Sequence, residues 1–249
     1  MSIFFVKILK LPIICVIFGL FSLIFVELDR RAYEGSNFNN SNISIEIIES
    51  IYPSKEFTII SHGFAGSKEM MRQIAYDIAN AGSNAVLFDF IGHGSNQQKL
   101  LNQPAEITGT TQQLVAHLSD IIKFIYEKFG NEISISLVGH SMASDIVIRA
   151  SADERIKSVV AISPYSTGIT PDFPKDLLLI SGQFENHLRS HALKMVKTFR
   201  PDAEENTEYA DQRIRRKASY IKNTGHVSVI YAPQTTKIII DWLKLEDYD

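Results

Sequence analysis

Residues 133–149 read Ile-Ser-Ile-Ser-Leu-Val-Gly-His-Ser-Met-Ala-Ser-Asp-Ile-Val-Ile-Arg. Ile133 to Val138 is a short run with strand character, and Ser144 to Arg149 continues with helical character. Only Gly139-His140-Ser141-Met142-Ala143 lies between them, so the pattern is strand, tight turn, helix. A serine on such a turn is held in strained backbone geometry. Its hydroxyl then projects above the sheet, and the next amide, Met142 N–H, faces a developing oxyanion. Small flanking residues let strand and helix approach closely, and Ala143 stands where the pattern Gly-x-Ser-x-Gly has its second glycine.

Working outward, further short apolar runs alternate with amphipathic segments. Expected strands are Ile43 to Ile51, Phe57 to Ile60, Ala85 to Phe90, Ser158 to Ile162, Leu177 to Ile180 and Ala218 to Ile221. Several are continuous apolar runs, as strands covered on both faces must be. Between them, Lys68 to Asn80 gathers Met70, Met71, Ile74, Ala75, Ile78 and Ala79 on one helical stripe. Thr110 to Lys128 gathers Leu114, Leu118, Ile121, Ile122 and Ile125 in the same way. The alternation predicts one α/β domain, a mostly parallel, doubly wound sheet with helices on both sides, whose site lies at the carboxyl ends of the strands.

The 249 residues are 45% hydrophobic, enough for one sizeable core, and the formal net charge of −3 lacks the basic footprint of a nucleic-acid binder. A single cysteine, Cys15, excludes an intramolecular disulfide and any zinc site built on paired thiolates. The N-terminus departs from the average: Leu11 to Val26 carries no charge and follows Lys7 and Lys10. Sixteen helical residues span roughly 24 Å, short of a bilayer core of about 30 Å unless Ile3 to Leu9 join and the lysines snorkel. No small-x-small pattern follows, since the chain continues Glu27-Leu28-Asp29. Residues 1–31 are therefore expected to be an uncleaved membrane anchor, with a cleaved signal or a buried N-terminal helix as alternatives. Residues 32–249, net −5, form the expected domain, placed outside the cytoplasm.

Two more glycine-rich loops follow expected strands. Phe57 to Ile60 leads into Ser61-His62-Gly63-Phe64-Ala65-Gly66-Ser67, where Phe64 N–H is the candidate second backbone donor, and Ala85 to Phe90 leads into Ile91-Gly92-His93-Gly94-Ser95. With the Gly-His-Ser turn and a late Gly225-His226, this ordered set resembles the α/β-hydrolase superfamily, in its branch of serine esterases and lipases, over residues 57–245.

The resemblance implies a triad in the chain order Ser, acid, His. It assigns the nucleophile to Ser141 and the base to His226, in the loop after the last strand. The acid falls on Glu185, three residues after Gly182, with Asp172 as the alternative. His62, His93 and His140 read as structural imidazoles, and His117 as an ordinary helix residue. The phosphate-loop pattern fails on spacing at Gly63 to Lys68, Gly92 to Gln97 lacks the third glycine of a dinucleotide fingerprint, and His187 and His191 are expected on an exposed helix face rather than on a metal. The basic run Arg213, Arg215, Arg216, Lys217 is expected to be a solvated face.

The expectation is a hydrolase of small-molecule or lipid-like carboxylic esters, without metal or organic cofactor and with an open, uncapped site, because only Ser163 to Lys175 separates two expected strands. Pro164, Tyr165, Phe173 and Pro174 are expected along one wall. A peptidase or amidase with the same triad, and a catalytically silent binding module, are the alternatives.

Overall fold

The computed structural model describes residues 15–24, 35–40, 43–100 and 107–245. The chain divides into two compact units, Met1–Gly35 and Ser36–Asp249. In the first, residues 15–24 are helical and expose Val16, Phe18, Phe21 and Leu23. Among the described residues no helix is long and apolar enough to cross a membrane. The expected span from Leu11 to Val26 extends past residues 15–24 at both ends, outside the described residues.

The second unit is built on a nine-stranded sheet in the order β1-β2-β4-β3-β5-β6-β7-β9-β8. The strands are β1 (Ser36–Asn40), β2 (Ile43–Ile48), β3 (Glu56–Ser61), β4 (Asn84–Phe88), β5 (Ser134–His140), β6 (Ile156–Ile162), β7 (Asp176–Gly182), β8 (Glu208–Ala210) and β9 (Arg215–Ile221). The six strands from β4 to β9 are parallel, while β1, β2 and β8 run antiparallel to their neighbours. The chain leaves β3 for β4 on one side and returns to β5 on the other, so strand order reverses at β3 and β5. Ligand crevices of open α/β sheets form at that switch point.

The helices are α1 (Arg72–Asn80), α2 (Ile107–Phe129), α3 (Met142–Ala150), α4 (Asn186–Lys197) and α5 (Pro233–Leu243). The expected stripes are buried: Ile74, Ile78, Leu114, Leu118, Ile121, Ile122 and Ile125 are all at most 1% exposed. Helices α2, α3 and α4 share one core with Ile59, Leu137 and Leu179, while α1 and α5 meet each other elsewhere in the unit.

Two expectations need correction. Ser36–Asn40, which lies outside the expected strands, is strand β1, paired with β2 at the sheet edge. Edge strands tolerate polar residues with low strand propensity, so the backbone pairing leaves little trace in side-chain pattern. The short strand β8, at the opposite edge, has the same character. The basic run is not a solvated face either, because Arg215 to Lys217 lie within β9 and Arg216 is fully buried. Its guanidinium donates to Thr170 O at 2.8 Å, Pro174 O at 3.0 Å and Thr198 Oγ1 at 2.8 Å. Burial pushes its pKa down to about 10, and these acceptors replace its water. Arg216 therefore pins the segment that follows β6.

His117, on the inner face of α2, is 3% exposed, lies edge-on to Phe88 at 5.7 Å, and has neither ring nitrogen hydrogen-bonded. Burial lowers its pKa to about 4. The unfolded chain therefore binds a proton at pH 4–6.5 that the folded chain refuses, and stability must fall as pH drops through that window. Thermal midpoints measured at intervals from pH 7 to pH 4 should decline, and His117→Phe should flatten the decline by about one proton's worth of slope.

Candidate active site

The elbow takes the geometry expected of its sequence. Ser141 sits at φ 55, ψ −116, a left-handed conformation that non-glycine residues seldom adopt. It is anchored on both sides, with Ser141 N–H donating to Ile162 O at 2.8 Å and Ser144 N–H to Ser141 O at 2.9 Å. A Cβ at Gly139 would stand 2.5 Å from Ala143 O and 2.8 Å from Val147 Cγ2, so strand and helix touch where the glycine is. Ala143 itself is fully buried, and its methyl fits. Met142 opens α3, where helical amides have no intrahelical acceptor.

Loops from several parallel strands converge on this serine. His226, in the loop after β9, accepts at Nε2 from Ser141 Oγ–H at 2.8 Å. On its other side, Nδ1–H donates to Glu185 Oε1 at 2.6 Å. A carboxylate can only accept, so this bond fixes the tautomer and leaves Nε2 with its lone pair toward the serine. The Glu185 carboxylate is 6% exposed, whereas His226 is half-exposed at 47%. The Ser141, His226 and Glu185 side chains are thus brought into one hydrogen-bonded line. Asp172, the alternative acid, lies instead in the exposed turn before β7, near the buried Arg216.

Glu185 is held by two groups that the sequence did not flag. Gly182 N–H donates to Oε2 at 2.5 Å, and Ser163 Oγ–H donates to the same oxygen at 2.8 Å. Ser163 has positive φ, 49, and is 2% exposed at the end of β6. Gly182 is required by close approach, because a Cβ there would lie 2.7 Å from Thr224 O in the loop that carries His226. Nothing in the spacing around Ser163 marks it; only the fold puts β6 beside β7.

The histidines of the other motifs act as struts. His140 is buried and its Nε2–H donates to His226 O at 2.8 Å, tying the elbow to the His226 loop. His62 donates from Nδ1 to Gly63 O at 2.8 Å and accepts Phe90 N–H on Nε2 at 3.1 Å, linking the loops after β3 and β4. Burial lowers the pKa of both, so they stay neutral. Asp89 completes the brace. It accepts Lys68 N–H at 2.7 Å, Ser95 N–H at 2.9 Å and Ser95 Oγ–H at 2.8 Å. Burial alone would raise its pKa, but these bonds outweigh burial and lower it.

The braced loop brings Gly63 against the elbow: a Cβ at Gly63 would stand 3.0 Å from Ser141 Cβ. Phe64 follows it, 65% exposed, with its ring edge-on to His93 at 5.7 Å. A cavity of about 590 Å³ opens here, lined by Phe64, Leu114, Ser141, Met142, Tyr165 and His226 among others. Of the expected wall, Tyr165 lines this cavity and Phe173 a neighbouring one. His187 is exposed, whereas His191 stacks on Tyr165 at 4.4 Å and donates from Nε2 to Ser166 O at 3.1 Å.

Residues 59–233 match the alpha/beta hydrolase fold family. The chain belongs to that family. Among solved structures, it resembles a lipase in an open form (TM-score 0.65, 9% identity, 84% of this chain and 97% of that one). It also resembles an esterase from Pyrococcus furiosus (TM-score 0.61, 15% identity, 85% and 90%). A membrane phospholipase A, described as a bacterial virulence factor, matches over 98% of both chains at TM-score 0.59 and 14% identity. No curated protein matches the sequence.

The close approach at the elbow gives a direct expectation. Gly139→Ala must push β5 from α3 or distort the turn, so its thermal midpoint should fall by roughly 4–8 °C, corresponding to about 2 kcal/mol. Ala143→Gly should stay within about 1 kcal/mol of the parent in the same melt, since it removes only one methyl.

Proposed function

We propose that this protein is a serine hydrolase of carboxylic esters, acting through an acyl-enzyme on Ser141. The observation that carries the reading is the unbroken line from Ser141 Oγ to His226 Nε2 to Glu185 on a positive-φ turn. In the reaction, Ser141 Oγ attacks the ester carbonyl carbon while its proton passes to His226 Nε2. The carbonyl oxygen becomes an oxyanion, for which the Met142 and Phe64 amides are the donors. The ester C–O bond breaks and the alcohol leaves with the proton from His226. Water then enters by the same route in reverse, restoring Ser141 and releasing the acid. Glu185 holds the imidazole in its productive tautomer and stabilises the imidazolium as it forms.

The half-exposed imidazole and the short Ser163 to Lys175 connection support an open entrance. The similar solved structures include a lipase, an esterase and a phospholipase A, which supports an ester as substrate. Hydrolysis of short p-nitrophenyl esters, with matching anilides alongside, tests the assignment. The wild type should cleave esters in preference to anilides, while Ser141→Ala and His226→Ala should each lose at least about 10³-fold in kcat. A preference for anilides would assign the triad to amide bonds, and unchanged turnover in Ser141→Ala would overturn the reading.

Ser163→Ala provides a finer test, since it removes one of the two extra donors to Glu185 Oε2 at a residue only 2% exposed. Its kcat should fall about tenfold with KM nearly unchanged, and Ser163→Thr should recover part of the loss. We also propose that residues 1–31 tether the domain to a membrane on its extracytoplasmic side, a reading that rests on the apolar run Leu11 to Val26. Protease added to intact cells should then degrade the domain, whereas protection until lysis would contradict that orientation.

A further inference from the structure

The cavity beside Ser141 adjoins a second one of about 650 Å³, and Thr111, Arg149 and Thr167 line both. The second runs between α2 and the end of α3 and includes Val115, Ala116, Ala152 and Phe173 in its walls. Among the described residues Arg149 is the ionisable group in that lining, and its charge is already engaged. Its Nε–H donates to Asp145 Oδ2 at 2.9 Å and its Nη2–H to Thr167 Oγ1 at 3.1 Å. Asp145 is held in turn by Ser166 Oγ–H at 2.5 Å. Head group and methylene stem both border Gly168, where an added Cβ would stand 3.4 Å from Arg149 Cγ and 3.5 Å from Cζ. A tethered arginine of this kind presents an apolar stem rather than a free cation.

We propose that the two cavities form one channel for a long, unbranched acyl chain, and that Arg149 marks the point where short and long chains part. This inference rests on the ester-hydrolase reading for the placement of the carbonyl at Ser141. Arg149 lies eight residues along the chain from Ser141, about 12 Å at the rise of an α-helix. An acyl group of a few carbons stays within the first cavity. A chain of a dozen or so carbons passes the Arg149 stem and buries its distal methylenes against Val115, Ala116 and Phe173. Each methylene transferred from water to such walls is worth up to about fourfold in binding. Both volumes lie in the range of small-molecule sites, and the paired charge at the junction disfavours a substrate whose far end is anionic.

The test uses the full chain with p-nitrophenyl butyrate and p-nitrophenyl dodecanoate, below the concentration at which the longer ester aggregates. Ala116 and Gln112 are exposed residues of α2 that line only the second cavity, so Ala116→Trp and Gln112→Trp fill it at solvent-facing positions. In the wild type, kcat/KM should favour the dodecanoate, and each tryptophan should reduce the dodecanoate-to-butyrate ratio by tenfold or more. A ratio that neither tryptophan changes would overturn the channel. A second arm does not depend on turnover: binding of a fluorescent twelve-carbon fatty acid to Ser141→Ala. Adding Ala116→Trp should weaken it at least tenfold, and equal affinity in the two proteins would also overturn the proposal. If no ester is cleaved but the fatty acid binds and is displaced by the tryptophan, the channel stands and the ester-hydrolase reading fails.

Discussion

The site depends on one strained residue. Ser141 is held at positive φ between the last hydrogen bonds of β5 and the first turn of α3, a conformation that costs on the order of 1–3 kcal/mol and persists only where the surroundings impose it. Here the surroundings are the central strand of a parallel sheet and a helix packed so tightly on it that Gly139 leaves no space for a methyl. The same strain that lifts the hydroxyl toward His226 also leaves the Met142 amide at a helix start, with no acceptor in its own helix. The proposed nucleophile and the proposed oxyanion donor are therefore products of a single backbone constraint.

The other side chains come from separate loops, and short buried bonds hold those loops in register. His140 reaches across to the His226 carbonyl, His62 joins the loops after β3 and β4, and Asp89 gathers Lys68 and Ser95. Burial keeps both imidazoles neutral, which suits them to be fixed donors and acceptors instead of proton carriers. The one half-exposed histidine in the cluster, His226, is the one whose ring bonds both the serine and a carboxylate. Burial thus separates the structural imidazoles from the one proposed as the base.

Much of this was legible in the sequence because the relevant constraints are local. The strand–turn–helix at Ser141 and the apolar stripes of α1 and α2 are short-range patterns, and the order of Ser141, Glu185 and His226 follows the family resemblance. What escaped was set by distant parts of the chain. Strand β1 has a polar sequence and exists through its pairing with β2. Arg216 looks like part of an exposed basic run, yet its burial follows from carbonyls at Thr170 and Pro174 that only folding brings near. Ser163 carries no motif, and its bond to Glu185 follows from β6 and β7 lying side by side.

The central claim is that Ser141 is an activated nucleophile made so by His226. Intact-mass spectrometry after exposure to a fluorophosphonate, followed by peptide mapping, tests it most directly. The account predicts a single adduct on the peptide containing Ser141 in the wild type, and none in His226→Ala under the same conditions. An unmodified, folded wild-type protein, or an adduct at Ser141 that forms equally fast without His226, would contradict it.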